Sequence, residues 1–127
     1  MGKVLVIDDD EAMRGTITKI LQRDGHEVRQ AADGEVGIEA FRAEPADVVI
    51  TDLLMPVKEG IETIIELREL SPTVRILAMS GGIDTLVDSR LSDARDLGAD
   101  EVLPKPFTVD QLRTVVAKLV AATASPD

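Results

Sequence analysis

Val4-Leu5-Val6-Ile7-Asp8-Asp9-Asp10 opens the chain with an unbroken apolar run that stops abruptly in three carboxylates. Four consecutive β-branched or leucine residues, with no polar alternation, are what a strand covered on both faces requires. Strands covered twice belong to parallel sheets flanked by helices. The rest of the chain repeats the theme. Met13, Ile17, Ile20 and Leu21 follow the i, i+4, i+7, i+8 spacing of one helix face, and Asp24-Gly25 ends that helix. A weaker strand is expected near Glu27–Gln30, then a helix over Glu35–Ala43 with Val36, Ala40 and Phe41 inward. Val48-Val49-Ile50 is the third strand, and Ile61, Ile64 and Ile65 mark the third helix. Arg75–Met79 reads as the fourth strand. Val87, Leu91 and Ala94 mark a fourth helix closed by Gly98, and Val102-Leu103 is a short fifth strand. The last helix opens at Thr108 with Gln111 three residues on, a capping-box spacing, and should bury Val109, Leu112, Val116 and Leu119.

Five strand–helix units predict an α/β fold, a doubly wound five-stranded parallel sheet with right-handed crossovers. The 127 residues fit one domain, taken as 1–122, with residues 123–127 as a frayed tail. No repeat or composition shift marks a second domain. A formal net charge of −10 disfavours direct nucleic-acid binding by this domain. No apolar run approaches the ~20 residues of a membrane helix, so no membrane insertion is expected. The absence of cysteine excludes disulfides, thiolate metal sites and thiol nucleophiles. A cytoplasmic location is the expectation.

In such a sheet, ligands bind outside the carboxyl ends of the strands. Asp8, Asp9 and Asp10 follow the first strand, Asp52 the third, Ser80 the fourth and Lys105-Pro106 the fifth. Taken singly, each has an ordinary reading: a helix cap, a turn, a solvated cation. Together they put carboxylates, a hydroxyl and an ammonium on one edge. Clustered carboxylates repel, and one is pushed toward its protonated form unless a hard divalent cation relieves it. Mg²⁺ suits an oxygen-only, partly hydrated site with few protein ligands. Mg²⁺ and Lys105 together would balance the charge of Asp8, Asp9 and Asp52. A site so balanced can accept a phosphoryl group, and Asp52 is the candidate nucleophile, because aspartate can form an acyl phosphate.

Val6-Ile7-Asp8-Asp9-Asp10, Asp52-Leu53-Leu54-Met55-Pro56 with Gly60, Ser80-Gly81 and Lys105-Pro106-Phe107 together resemble the signature set of response-regulator receiver domains of bacterial two-component systems, the chemotaxis-regulator type. The resemblance covers residues 3–120. It implies the flavodoxin-like receiver fold with strand order 2-1-3-4-5. It makes Asp52 the phosphoacceptor, with Asp9 binding Mg²⁺ directly and Asp8 largely through water. Asp52 would add a carboxylate oxygen and Leu54 its backbone carbonyl. Lys105 would contact Asp52 and the phosphoryl group, Ser80 would bond a phosphoryl oxygen, and the Lys105-Pro106 bond would be cis. Asp10 is read as a capping or solvated residue, and His26 as a surface turn residue. The implied partners are a sensor histidine kinase or phosphotransfer protein and an unidentified downstream target. Such a domain turns over no external substrate and catalyses only its own phosphoryl transfer and autodephosphorylation.

The chain departs from the family pattern in three places. Val102 stands where an aromatic switch residue is usual, so ring rotation cannot be the output signal. The segment between Ser80 and Lys105 is longer than in the chemotaxis type. Leu54 and Gly82 flank the path of the hydrolytic water without a polar side chain, which predicts slow dephosphorylation. Two other readings compete. One is a phosphorylation-independent interaction module, opposed by the intact acid pair, acceptor, hydroxyl and lysine. The other is an aspartyl-nucleophile phosphohydrolase, suggested by Asp8-x-Asp10. That class wants a hydroxyl or valine where Ala12 stands, and a cap region this length does not hold.

Overall fold

A computed structural model describes residues 2–53, 60–80 and 98–124. The order is β1 (Lys3–Ile7), α1 (Glu11–Arg23), β2 (Glu27–Ala31), α2 (Gly34–Ala43), β3 (Val48–Asp52), α3 (Gly60–Leu70), β4 (Arg75–Ser80), β5 (Glu101–Pro104) and α4 (Val109–Ala124). All strand pairs are parallel, in the order β2-β1-β3-β4-β5. The expected helix around Val87, Leu91 and Ala94 lies outside the described residues. α4 continues through Ala124, and the last three residues also lie outside.

The apolar run of β1 is explained by two cores. Leu5 and Ile7 face one, built with Ile38 and Phe41 of α2 and Ile64 and Leu67 of α3. Val4 and Val6 face the other, built with Ile17 and Leu21 of α1 and Leu112, Val116 and Leu119 of α4. β3 and β4 alternate in the same way, Val49 and Ile76 on the first side, Ile50 and Leu77 on the second. Fully burying each such side chain contributes about 1.5–3 kcal/mol, so the sheet is the rigid frame of the molecule.

Two residues expected to face inward, Val36 and Val109, are exposed, as is Ile65, one of the markers of the third helix. In α2 the buried stripe is Gly34, Gly37, Ile38 and Phe41. Two glycines occupy inner positions because the helix crosses close to β1: a Cβ on Gly37 would lie 2.4 Å from Ile7 Cδ1. A stripe made partly of glycine is invisible to a count of apolar side chains. In α3 a buried threonine, Thr63, joins Gly60, Ile64 and Leu67, which turns Ile65 outward. Val109 sits in the first turn of α4, ahead of the buried Leu112, Val116 and Leu119 stripe.

The caps match their sequence signals. Asp24 caps the end of α1, and Gly25 follows at φ 89. Thr108 Oγ1 accepts from Gln111 N at 3.0 Å, while Gln111 Oε1 accepts from Thr108 N at 2.8 Å. His26 is a half-buried turn residue at the end of the sheet opposite Asp52. Its Nδ1 accepts from Gly2 N at 3.2 Å, and burial pushes its pKa below the ordinary value.

Candidate phosphoryl and metal site

The strands deliver four of the expected side chains to one edge. β1 runs straight into Asp8, which is fully buried, and Asp8 N donates to Ala31 O at 3.1 Å to continue the ladder with β2. Asp52 ends β3 and is 6% exposed, and Ser80 ends β4 fully buried. Lys105 follows β5, and its N–H donates to Ser80 O at 2.7 Å. From there Lys105 Nζ donates to Asp52 Oδ2 at 2.9 Å and lies 3.5 Å from Asp8 Oδ2. The Lys105-Pro106 peptide bond is cis, as expected.

One carboxylate oxygen each from Asp8, Asp9 and Asp52 lie within 4.8 Å of one another. Oxygens sharing one Mg²⁺ are separated by about 3 Å when adjacent and about 4 Å when opposite, given metal–oxygen distances of about 2.1 Å. The observed spread fits a hydrated ion held by a mixture of direct and water-bridged carboxylates. Burial pushes the Asp8 carboxyl above its usual value and the nearby Asp52 charge adds to this, while the Asp10 N–H and Lys105 pull against it. Burial works against the Lys105 ammonium too, but the hydrogen bond and charge of Asp52, then of Asp8, overcome it and raise its pKa. These groups are short of cationic charge, which is what a divalent ion supplies.

Among the described residues, Ser80 Oγ is buried and has no hydrogen-bond partner. A buried hydroxyl left unpaired is costly, and this one stands at the carboxyl end of β4 beside Asp52 at the end of β3. Asp10, by contrast, is the N-cap of α1, with Oδ1 accepting from Ala12 N at 3.0 Å and Met13 N at 3.1 Å. Its side chain is taken up by the helix cap, while its N–H donates to Asp8 Oδ1 at 2.9 Å. Leu54, assigned a metal-binding carbonyl, and Gly82 lie outside the described residues. Val102 is half-buried on β5 and packs against the core of α2 and α3.

Two residues around the site escaped the motif reading in their structural role. Arg14 on α1 donates from Nη1 to Asp8 O at 2.8 Å and from Nε to Gln30 Oε1 at 3.0 Å, bracing the acid pair from behind. A cation near the start of a helix opposes the helix dipole, and that was the available signal. Gly60 lies against the acceptor's own backbone. A Cβ there would fall 2.1 Å from Asp52 O and 2.5 Å from Leu53 Cα, so only hydrogen fits.

A doubly wound parallel sheet thus gathers an acid cluster, a buried hydroxyl and a lysine at its carboxyl edge. The response regulator receiver domain profile matches residues 4–117, and the chain belongs to that family. It is 35% identical over 123 residues to the DNA-binding transcriptional regulator NtrC of Azospirillum brasilense, covering 97% of this chain and 25% of that protein. It is 31% identical over 125 residues to the response regulator MprA of Mycolicibacterium vanbaalenii, covering 98% of this chain and 53% of the relative. The chain thus spans about half, or less, of these relatives. A response regulator receiver domain protein from Clostridium thermocellum superposes with a TM-score of 0.89 at 29% identity, covering 98% of both chains. Among the described residues no helix is long and apolar enough to cross a membrane.

Proposed function

We propose that Asp52 accepts a phosphoryl group from a sensor histidine kinase or phosphotransfer protein, and that the acyl phosphate alters binding to a downstream protein. The observation that carries this reading is Lys105 Nζ held 2.9 Å from the buried Asp52 carboxylate, in a cluster completed by the buried Asp8 and the exposed Asp9. An Asp52 oxygen attacks the donor phosphorus. The bond to the donor imidazole nitrogen breaks, and the electron pair leaves with that nitrogen. Lys105 faces the negative charge that the incoming group brings, and Ser80 Oγ offers it a hydrogen bond. Asp8, Asp9 and Asp52 would hold Mg²⁺, with the Leu54 carbonyl as a further ligand. When bound, the ion neutralises phosphoryl oxygens and permits the anionic nucleophile to approach them. The same site would hydrolyse its own acyl phosphate, slowly if Leu54 and Gly82 leave the attacking water without a polar guide.

Acetyl phosphate with Mg²⁺ tests the assignment. Labelling of the wild-type chain should vanish in Asp52→Ala, while Asp10→Ala, which removes only a helix cap, should retain most of it. Labelling that requires Asp10 and spares Asp52 would overturn the site. A wild-type chain that takes no label but binds partners would favour an interaction module.

A further inference from the structure

The start of β5, at the far end from Lys105, carries a cluster of charged groups that the phosphoryl site does not use. Arg68, in the last turn of α3, donates from Nη1 to the carbonyls of Pro72 at 2.9 Å and Val74 at 2.7 Å. Its Nη2 donates to Gly98 O at 2.6 Å and Asp100 Oδ2 at 3.1 Å. Asp100 Oδ2 also accepts from Ile76 N at 2.8 Å, and Asp100 N donates to Ile76 O at 2.8 Å. Arg75 Nη1 adds a longer contact to Asp100 Oδ1 at 3.4 Å. One guanidinium thus joins α3, the turn before β4 and the residues entering β5. Gly98 makes room for it. Its φ is +131, and a Cβ there would stand 3.2 Å from Arg68 Nε.

β5 needs such an anchor. It has four residues and, among the described residues, pairs only with β4. Val102 packs against one core and Leu103 against the other, both half-buried. A one-residue slip would exchange one apolar side chain for another on each face, so hydrophobic pattern hardly specifies the register. The same slip would carry Lys105 about 3.3 Å along the strand and turn it to the opposite face.

We propose that Arg68 and Asp100 are positioning residues for Lys105: their knot around Gly98 sets the register of β5 on β4, and so holds Lys105 Nζ between Asp52 and Asp8 about 16 Å farther along the chain. The inference rests on the phosphoacceptor reading above, and the test separates the two.

In the full chain, Arg68→Gln, Asp100→Ala and Asp100→Asn are compared with wild type, each well below its own Tm. Three readouts are taken: the rate of labelling by acetyl phosphate at saturating Mg²⁺, the ¹⁵N side-chain resonance of Lys105 without phosphodonor, and the cross-strand nuclear Overhauser contact between Leu77 and Glu101. Arg68→Gln and Asp100→Ala should slow labelling about tenfold or more, as misplacement of a reacting-site group by an ångström or more can do. They should also move the Lys105 resonance and weaken the Leu77–Glu101 contact. Asp100→Asn still accepts from Ile76 N and Arg68, and should recover most of what Asp100→Ala loses. A variant that melts earlier yet labels at the wild-type rate with an unmoved Lys105 resonance would overturn the proposal, because the knot would then serve stability alone. If Arg68→Gln does not fold, the Asp100 pair decides on the same criteria. If wild type itself takes no label, the phosphoacceptor reading fails, while the resonance and the cross-strand contact still judge the register.

Discussion

The two ends of one parallel sheet treat their polar groups in opposite ways. At the amino-terminal end most acids and bases are tied to partners, with Arg75 Nε a buried exception among the described residues. Asp100 takes Ile76 N and two arginines, His26 takes Gly2 N, and Asp24 takes Arg113 at 3.0 Å. At the carboxyl end Asp8 is buried with its pKa raised, Asp52 shares one lysine with it, and Ser80 Oγ has no partner among the described residues. The backbone makes the same parallel ladder at both ends, so the difference lies in the side chains. One end is arranged for stability. The other carries unresolved charge and an unused hydroxyl, at a cost in stability that a bound cation and phosphoryl group would offset.

The largest way to test that contrast is Gly60→Ala. The added Cβ meets backbone atoms of Asp52 and Leu53, which cannot swing aside as a side chain would. A loss of about 3 kcal/mol is expected, with displacement of the acceptor, read as a fall in Tm of roughly 10 °C and loss of labelling. An unchanged Tm would show that the backbone of Asp52, Leu53 and Gly60 shifts enough to absorb the group.

The same chemical change at each end should then have opposite signs. Without Mg²⁺, Asp8→Asn removes a disfavoured buried charge and should raise Tm by about 3 °C, what roughly 1 kcal/mol is worth in a domain of this size. Asp100→Asn weakens a satisfied network and should lower Tm by a similar amount, about 3 °C. Saturating Mg²⁺ should stabilise wild type and not Asp8→Asn, narrowing or reversing the first difference. Thermal melts with and without the ion decide it, and a destabilised Asp8→Asn would mean the site is not under charge strain.

The pH dependence follows the same division. Asp8 has a folded pKa above the ordinary 3.8, so between 3.8 and that raised value the folded chain holds the extra proton. Its contribution therefore falls as pH rises through that window. His26 has a folded pKa below the ordinary 6.5, so the unfolded chain holds the extra proton below 6.5 and stability falls as pH drops. Asp24, held low by Arg113, adds stability above 3.8 that is lost as pH falls through its depressed value. Removing Asp8 with Asn should thus steepen acid destabilisation, measured as denaturant midpoint against pH from 7 to 4. Parallel profiles for the two proteins would contradict the assignment to Asp8.

A smaller effect is expected at the helix cap. Asp10→Ala should cost about 1 kcal/mol by freeing Ala12 N and Met13 N, seen as a lower urea midpoint with an unchanged slope. Smallest of all is Arg113→Ala, which breaks an exposed, salt-screened pair with Asp24 and should lower Tm by no more than about 1 °C at moderate salt.

Much of this protein was legible in order of residues alone. The β1 run and its repeats specify doubly covered strands, because no other element needs apolar side chains on both faces, and parallel strands require the helices between them. The carboxyl-edge rule then gathers Asp8, Asp52, Ser80 and Lys105 without knowledge of any distance. The capping box at Thr108 and Gln111 and the cap at Asp10 were legible too, since they are local. What tertiary structure alone decided is long-range or made of small groups. Val36 and Ile65 turn outward because Gly37 and Thr63 occupy inner positions, which leave no hydropathy signal, and Val109 is exposed in the first turn of α4 ahead of its buried stripe. The brace from Arg14 to Asp8 O and the knot of Arg68 with Asp100 span 6 and 32 residues, and their acceptors are largely backbone carbonyls, which every residue carries and no sequence distinguishes. Residue types can announce a chemistry, but which carbonyl an arginine finds depends on how the sheet is packed.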